Sequence, residues 1–296
     1  MKNSLKTLAR SPKFMFGLIT LVIILLVIFI VPMINTADPY DMVGTIYDSP
    51  GTEGMREVED ENGEITYEKF NLVLGTDNFG RDLLLELMYG TKTSQWVGVL
   101  AGLIATAIGL TLGLWSGYVG GIIDDIIQTI TNMFTVIPSI VILILISVSV
   151  TTRSYYVTAL VIGLTSWPWT CRSVRAQTAS LRVRDHVNIA RITGYSTMRI
   201  IVQHILPYVA SYVMMAFIRQ ISSGILNEAT ISMLGLGPYN TISLGTMMNW
   251  AQQFEAPTSG AWWAFVPTAL VIAVVIFALT MMNTGMDEIF NPKIRS

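Results

Sequence analysis

An all-α membrane protein with six transmembrane helices is the fold class this sequence predicts, and three observations carry it. Charge is scarce: 13% of the 296 residues are charged, about half the share usual in soluble domains. Apolar residues make up 52% of the chain. Long charge-free runs recur, and a spanning helix needs about 20 mostly apolar residues.

The runs give the elements in order. Phe14–Ile34 is the first. It follows Lys2, Lys6, Arg10 and Lys13, as a signal peptide would. It is longer than a signal-peptide apolar core and no A-x-A pattern follows, so it reads as an uncleaved anchor. Thr93–Ile123 and Ile126–Thr152 are the second and third. Ser154–Cys171 is the fourth and is expected to extend to about residue 180. The fifth runs from about Ile200 to Leu234, interrupted by Arg219 and Glu228, and the sixth covers about Ala261–Met286. Trp262 and Trp263 open the sixth, where indoles suit the membrane interface.

Six spans put both termini on one side, and the positive-inside rule selects it. With the amino terminus inside, the inner segments hold 12 Lys and Arg and the outer segments 5, leaving Arg219 within a span. The chain divides into residues 1–36 (inner tail and first span), 37–92 (outer loop), and 93–296 (five spans with an inner loop at about 181–200). A multi-pass membrane protein with both termini cytoplasmic and lipid around it is expected.

Within the outer loop, Asn62-Gly63 lies between two runs containing Val, Ile, Thr and Tyr, which predicts a small β-hairpin. Glu57, Glu59, Asp60, Glu61 and Glu64 lack the glycine and ligand spacing of a calcium loop and read as a solvated acidic face. "GTDNFGRD" (75–82) resembles a P-loop only superficially. Arg81 stands where lysine belongs, and Asp82 would repel phosphate where Ser or Thr should hold magnesium. The reading is a turn at 78–80, then Asp82 capping a short amphipathic helix of Leu83, Leu84, Leu85, Leu87 and Met88.

Several residues are candidates for function or packing. Ala101, Ala105, Gly109, Gly113, Gly117 and Gly121 recur every four residues, which lets a helix of this chain or of a partner approach closely. Arg219 and Glu228 are nine residues apart, about 900° of helix rotation and about 13 Å of rise, so they lie on opposite faces and cannot pair. Each is either satisfied by packed neighbours or borders a polar path. Asp124 and Asp125 favour a helix start and carry no assigned chemistry.

The stretch "NIARITGYSTMRIIVQHILP" (188–207) breaks the apolar pattern. Asp185 is expected to cap a short helix ending near Thr193, Gly194 to supply the left-handed stop, and Ser196 to cap the next helix, with Pro207 bending it. A short helix and a tight turn before an anchored span make a lever that a soluble partner could push. An ordinary basic inner loop is the alternative. Cys171 is the one cysteine, and His186 and His204 are the two histidines, so neither an intrachain disulfide nor a structural zinc cluster is available. No catalytic residues, metal ligands, cofactor or nucleic-acid partner are predicted.

Here the sequence resembles a family. Asp185, Ala190 and Gly194, followed by Ile205-Leu206-Pro207, resemble the E-x-x-x-A-A-x-x-x-G…I-x-L-P loop of ABC importer permeases, with Asp for Glu and Ile189 for the first Ala. "LGTDNFGRDLLLELMYGTKTS" and "ILNEATISMLGLG" resemble signatures of the dipeptide/oligopeptide/nickel group, Ile231 and Met233 departing. With one span before the first of these, the chain is similar to the C-type member of the permease pair over about residues 70–292. The insertion 50–70 lies outside the pattern. The resemblance implies a bacterial or archaeal cell membrane, a type I importer permease fold, a second homologous permease, two cytoplasmic ATPases that hold ATP and magnesium, and an extracytoplasmic binding protein delivering a peptide. Asp185, Ala190, Arg191, Gly194 and Ser196 would then form the ATPase-coupling loop. Nickel or glutathione is the alternative substrate. Nickel favours imidazole ligands, and neither histidine sits in a span interior. An ion-coupled transporter would show acidic relays and internal repeats, and an intramembrane hydrolase a catalytic set; neither is evident.

Overall fold

The computed structural model describes residues 8–34, 37–59, 65–238 and 240–290. Its helices are α1 (Pro12–Ile34), α2 (Leu83–Val119), α3 (Gly121–Val136), α4 (Ser139–Ser149), α5 (Tyr155–Arg182), α6 (Asp185–Ile192), α7 (Thr197–Ile200), α8 (Leu206–Met233), α9 (Leu244–Gln253) and α10 (Val266–Phe290). A π turn, Ile201–Ile205, joins α7 to α8, and a 3₁₀ turn, Trp262–Ala264, precedes α10.

Among the described residues, four helices are long and apolar enough to cross a membrane: α1, α2, the joined α7–α8 and α10 with its leading turn. The bent pair α3 and α4 brings the number to at most five. The run predicted as the fourth span forms α5, 28 residues long, but α5 is not among the helices apolar enough to cross, because Arg172, Arg175 and Arg182 lie in its second half.

The predicted third span is not straight. α3 and α4 meet at 87°, and neither is long enough to cross alone. Pro138 is the cause. It has no amide to continue the helix and forces Ile137 into extended backbone (φ −82°, ψ 130°).

The short amphipathic helix expected after Asp82 is instead the first turns of α2, one uninterrupted helix of 37 residues, about 55 Å long at about 1.5 Å per residue. Nothing breaks it, because no proline falls within 83–119 and its first turns are packed through Leu83 and Leu87 against Ile242, Leu244 and Met247. The Asp82 cap is present, with Oδ1 accepting from the Leu84 amide at 2.9 Å. Asp77 closes the preceding turn, its Oδ1 accepting from the amides of Phe79 and Arg81 at 2.8 and 2.9 Å. Burial raises the Asp77 carboxyl above its ordinary value, and these amide bonds pull against that rise.

Strands β1 (Glu53–Glu59) and β2 (Ile65–Asn71) pair antiparallel, Glu53 opposite Asn71 and Glu59 opposite Ile65. The Asn62-Gly63 turn expected between them lies outside the described residues. Met55 donates its amide to the Val43 carbonyl at 2.8 Å, and Leu72 is fully buried, so the hairpin is fastened to the segment preceding α2.

α2 is the centre of the bundle. One face packs on α5, another on α8, while α1 packs on α10. The α1–α10 pair is tied by an ion pair between Lys13 and Glu288.

Candidate functional site

The broken loop folds as a helix, a turn and a second helix. Asp185 is the first residue of α6 rather than its cap. Arg184 holds the cap position with extended backbone and no side-chain bond. Asp185 still helps, because a carboxylate in the first turn is favoured by the helix dipole. At the other end Gly194 has φ +83°. Its amide donates to the Arg191 carbonyl at 3.1 Å, and the Tyr195 amide donates to the Ala190 carbonyl at 3.1 Å. These two bonds form a Schellman stop, which satisfies carbonyls the helix leaves open. Ser196 occupies the cap position of α7, but its hydroxyl makes no capping bond. The Pro207 bend expected from the sequence takes the form of the π turn. Proline cannot donate to the preceding turn, and a wider turn absorbs the lost bond.

α6 presents two apolar faces. Val187 and Ala190 are buried in a cluster with Leu114 and Tyr118 of α2, Val174 of α5, and Ile200, Ile201 and Ile205. Ile189 and Ile192, again three apart, are 64% and 87% exposed. Polar ties complete the seating. His186 Nε2 donates to the His204 carbonyl in the π turn at 3.2 Å, and its ring lies 4.7 Å from that of Tyr208. The Arg191 guanidinium lies 5.9 Å from the Tyr118 ring centre. A displacement of α6 therefore bears at once on the ends of α2 and α5 and on the base of α8.

The small-residue ladder meets a helix of the same chain. A β-carbon on Gly109 would lie 2.6 Å from Thr170 Cβ, one on Gly113 2.7 Å from the Cys171 carbonyl oxygen, and one on Gly117 2.7 Å from the Arg175 carbonyl oxygen. The backbones of α2 and α5 touch along this line. At its far end Arg175 grips Asp124 through two bonds of 2.6 and 2.5 Å, fixing α3 as well.

Arg219 and Glu228 lie apart. Arg219 is exposed on α8, its guanidinium 4.3 Å above the Trp169 ring of α5. Glu228 is fully buried. Its Oε2 accepts from Ser94 Oγ of α2 at 2.6 Å and its Oε1 from Ser232 Oγ at 2.7 Å. Ser94 Oγ in turn accepts from the Leu244 amide at 3.0 Å, the first amide of α9. One carboxylate thus joins α2, α8 and the start of α9. Reasoning on Glu228 alone missed Ser94 and Ser232. The signal was present: the first family-like stretch ends on Ser94, and the second contains both Glu228 and Ser232. Gln220 was also missed. It is buried, and its Nε2 donates to the Ser166 carbonyl at 2.9 Å and to Thr170 Oγ1 at 2.8 Å.

A family model described as the binding-protein-dependent transport system inner membrane component matches residues 109–296, and the chain belongs to that family. It is thus a permease component of an ABC importer in a cell membrane. A dipeptide transport system permease, DppC of Haemophilus influenzae, is 31% identical over 282 residues, 95% of this chain and 90% of the relative. An oligopeptide transport system permease, OppC of Mycobacterium bovis, is 32% identical over 226 residues, 75% and 76% of the two chains. A peptide transport system permease of Brucella suis is 27% identical over 294 residues, covering 98% and 91%. A chain of the MetNI methionine ABC transporter in an inward-facing form shares the fold at TM-score 0.55 and 16% identity, over 71% of this chain and 97% of that one.

Proposed function

We propose that this chain is the C-type permease of an ATP-driven peptide importer, with six spans, a type I importer fold and both termini in the cytoplasm. α6 is its seat for an ATPase subunit. The observation that carries the reading is the seating of α6: its inner face is locked onto α2, α5 and α8, while Ile189 and Ile192 stand exposed for a partner. ATP and magnesium are held by the two ATPases. A second, homologous permease covers the face that bears Arg219. A guanidinium at mid-membrane is costly against lipid, and such residues face a protein interior or a water-filled path. The hairpin end faces the extracytoplasmic binding protein. Peptide is favoured over nickel, because His186 is engaged with a backbone carbonyl and His204 lies in the π turn, leaving no imidazole on a path.

Two substitutions test the coupling. Gly194→Val adds a β-carbon that meets nothing within 4 Å, so its cost is confined to a backbone conformation that β-branched residues avoid. Ile192→Asp charges the exposed face without touching the core. Both variants should reach wild-type membrane abundance, lose ATPase-subunit retention on purification, and take up radiolabelled peptide about tenfold or more slowly, the factor for about 1.4 kcal/mol of lost interaction. Normal uptake by both would remove α6 from the coupling path.

Orientation is tested by single cysteines in a Cys171→Ala background. Tyr67→Cys, on the exposed side of β2, should react with an impermeant maleimide in intact cells. Val183→Cys, at the α5–α6 junction, should react only after permeabilisation. Labelling of Val183→Cys in intact cells would invert the topology.

A further inference from the structure

We infer that Arg219, stacked on Trp169 with Arg172 one turn further in, forms a recognition site for a carboxylate of the transported molecule. That the molecule is a peptide rests on the reading above. The other sides of α8 are taken by this chain. Ile218 and Ile225 pack in one cluster with Val275 and Leu279 of α10, Gln220 bonds to α5, and a β-carbon on Gly224 would lie 3.1 Å from Gly98 Cα of α2. The side left over is polar. Arg219, Ser223, Asn227 and Thr230 follow at spacings of four, four and three, which places them on one helix face. Arg219 and Thr230 are exposed, Ser223 and Asn227 half-buried. The stripe runs outward from the middle of the membrane. A β-carbon on Gly102 would lie 3.0 Å from the Ile221 nitrogen, and Gly102 is about 14 Å along α2 from Thr93, where the apolar run begins. The hydrocarbon core is about 30 Å thick. An exposed guanidinium at half that depth, followed by hydroxyls and an amide, calls for water rather than lipid.

The cations on this face have no counter-charge. Among the described residues, no carboxylate lies within ion-pair distance of Arg219 or Arg172. Glu228 is buried on another side of α8, and Asp124 is held by Arg175. The Arg219 guanidinium sits 4.3 Å over the exposed Trp169 ring. Stacking fixes the guanidinium and leaves its N–H edge open to a bidentate carboxylate. Arg172 stands three residues after Trp169, on the next turn of α5. It too is exposed, and it is anchored by Asn132 Oδ1 at 2.7 Å and Thr135 Oγ1 at 2.6 Å, both of α3. A carboxylate moving inward along α8 therefore meets one fixed cation and then a second, while a cationic group is repelled by both.

The site is tested first without cargo. Ser223→Cys, one turn outward of Arg219 and in a Cys171→Ala background, is placed in nanodiscs with the co-expressed partner subunits, so that both membrane faces meet reagent. Its rates of modification by a sulfonatoethyl (anionic) and a trimethylammonioethyl (cationic) methanethiosulfonate are divided by those of free mercaptoethanol. The resulting ratio should favour the anion about tenfold, as in a cleft lined by one sign of charge. Arg219→Gln should bring it close to unity, and Arg219→Lys should keep it. A thiol that reacts with neither reagent, with or without ATP, would show that protein or lipid covers the stripe. A ratio without bias would show that no positive field exists there. Either result overturns the site. Maximal uptake, at saturating peptide and binding protein, then identifies the carboxylate. If the peptide terminus is read, Arg219→Gln should slow Ala-Ala-Ala about tenfold, the loss of one charge-assisted bond, and spare its carboxy-terminal amide. If an acidic side chain is read, it should slow Ala-Glu-Ala amide and spare Ala-Gln-Ala amide. Equal slowing of all four would reduce Arg219 to a structural role and overturn the site. An anion preference kept by a complex that takes up no peptide would instead defeat the peptide reading and leave the site standing.

Discussion

Gly113→Leu is expected to destabilise the folded permease by about 3 kcal/mol, the upper part of the range for overpacking a filled interior. Gly113 sits at the middle of the α2–α5 contact, with Gly109 on one side and Gly117 on the other. Even a methyl group there would lie 2.7 Å from the Cys171 carbonyl oxygen and 2.8 Å from Val174 Cβ. The first of these is backbone in the interior of a helix and cannot turn aside. α5 would have to move away from α2. It is held on both flanks, by Gln220 bonded to Ser166 and Thr170 and by Arg175 bonded to Asp124. Separating α2 from α5 also disturbs the floor on which α6 rests, since Leu114, Tyr118 and Val174 belong to one cluster with Val187 and Ala190. Thermal unfolding of the purified protein in detergent should show a lower midpoint for Gly113→Ala and a much lower one, or aggregation, for Gly113→Leu. Leu103→Phe, at a position on the same helix that is 56% exposed, should melt with the wild type. A Gly113→Leu protein that melts normally would mean that the two backbones do not touch here.

This case also shows where sequence reading succeeds and where it stops. Spacing by four announced a close approach along α2, because that pattern depends only on helix geometry. It could not name the neighbour, which is decided by how the chain returns through α3 and α4. That return was itself misjudged. Residues 126–152 carry no charge, and hydropathy averages over the one residue, Pro138, that folds the run back on itself. The reverse error occurred at Lys92. A charge and a preceding turn suggested two helices where there is one, because the first turns of α2 are held by Leu83 and Leu87 against Ile242, Leu244 and Met247, contacts distant in sequence. The Gly194 stop was legible because a left-handed stop is a local device. The partners of Glu228 were not, since Ser94 lies 134 residues away. Only the coincidence of two family-like stretches pointed to their meeting.

Glu228→Ala is the second change expected to have a large effect, and it separates a structural carboxylate from one on the transport path. Both oxygens of Glu228 accept hydroxyl bonds, and the residue has no exposed surface. Truncation to alanine leaves Ser94 Oγ and Ser232 Oγ without their acceptor and opens a void between α2 and α8. Each unsatisfied buried group costs about 1–3 kcal/mol. With the lost packing added, the total should reach about 3–5 kcal/mol. The damage extends to α9, because the Ser94 hydroxyl that Glu228 orients is the one that receives the Leu244 amide. Glu228→Gln keeps the shape and one acceptor oxygen, and the serine hydroxyls can rotate to meet the new donor. It should cost about 1 kcal/mol and leave assembly intact. Peptide uptake divides the two roles. A carboxylate enclosed by α2, α8 and α9 cannot meet the cationic amino terminus of a passing peptide. Glu228→Gln should therefore leave the apparent uptake constants of free and N-acetylated peptides in their wild-type ratio. A selective rise for peptides with a free amino terminus, in a variant that assembles normally, would place Glu228 on the path and would require the junction of α2, α8 and α9 to open during transport.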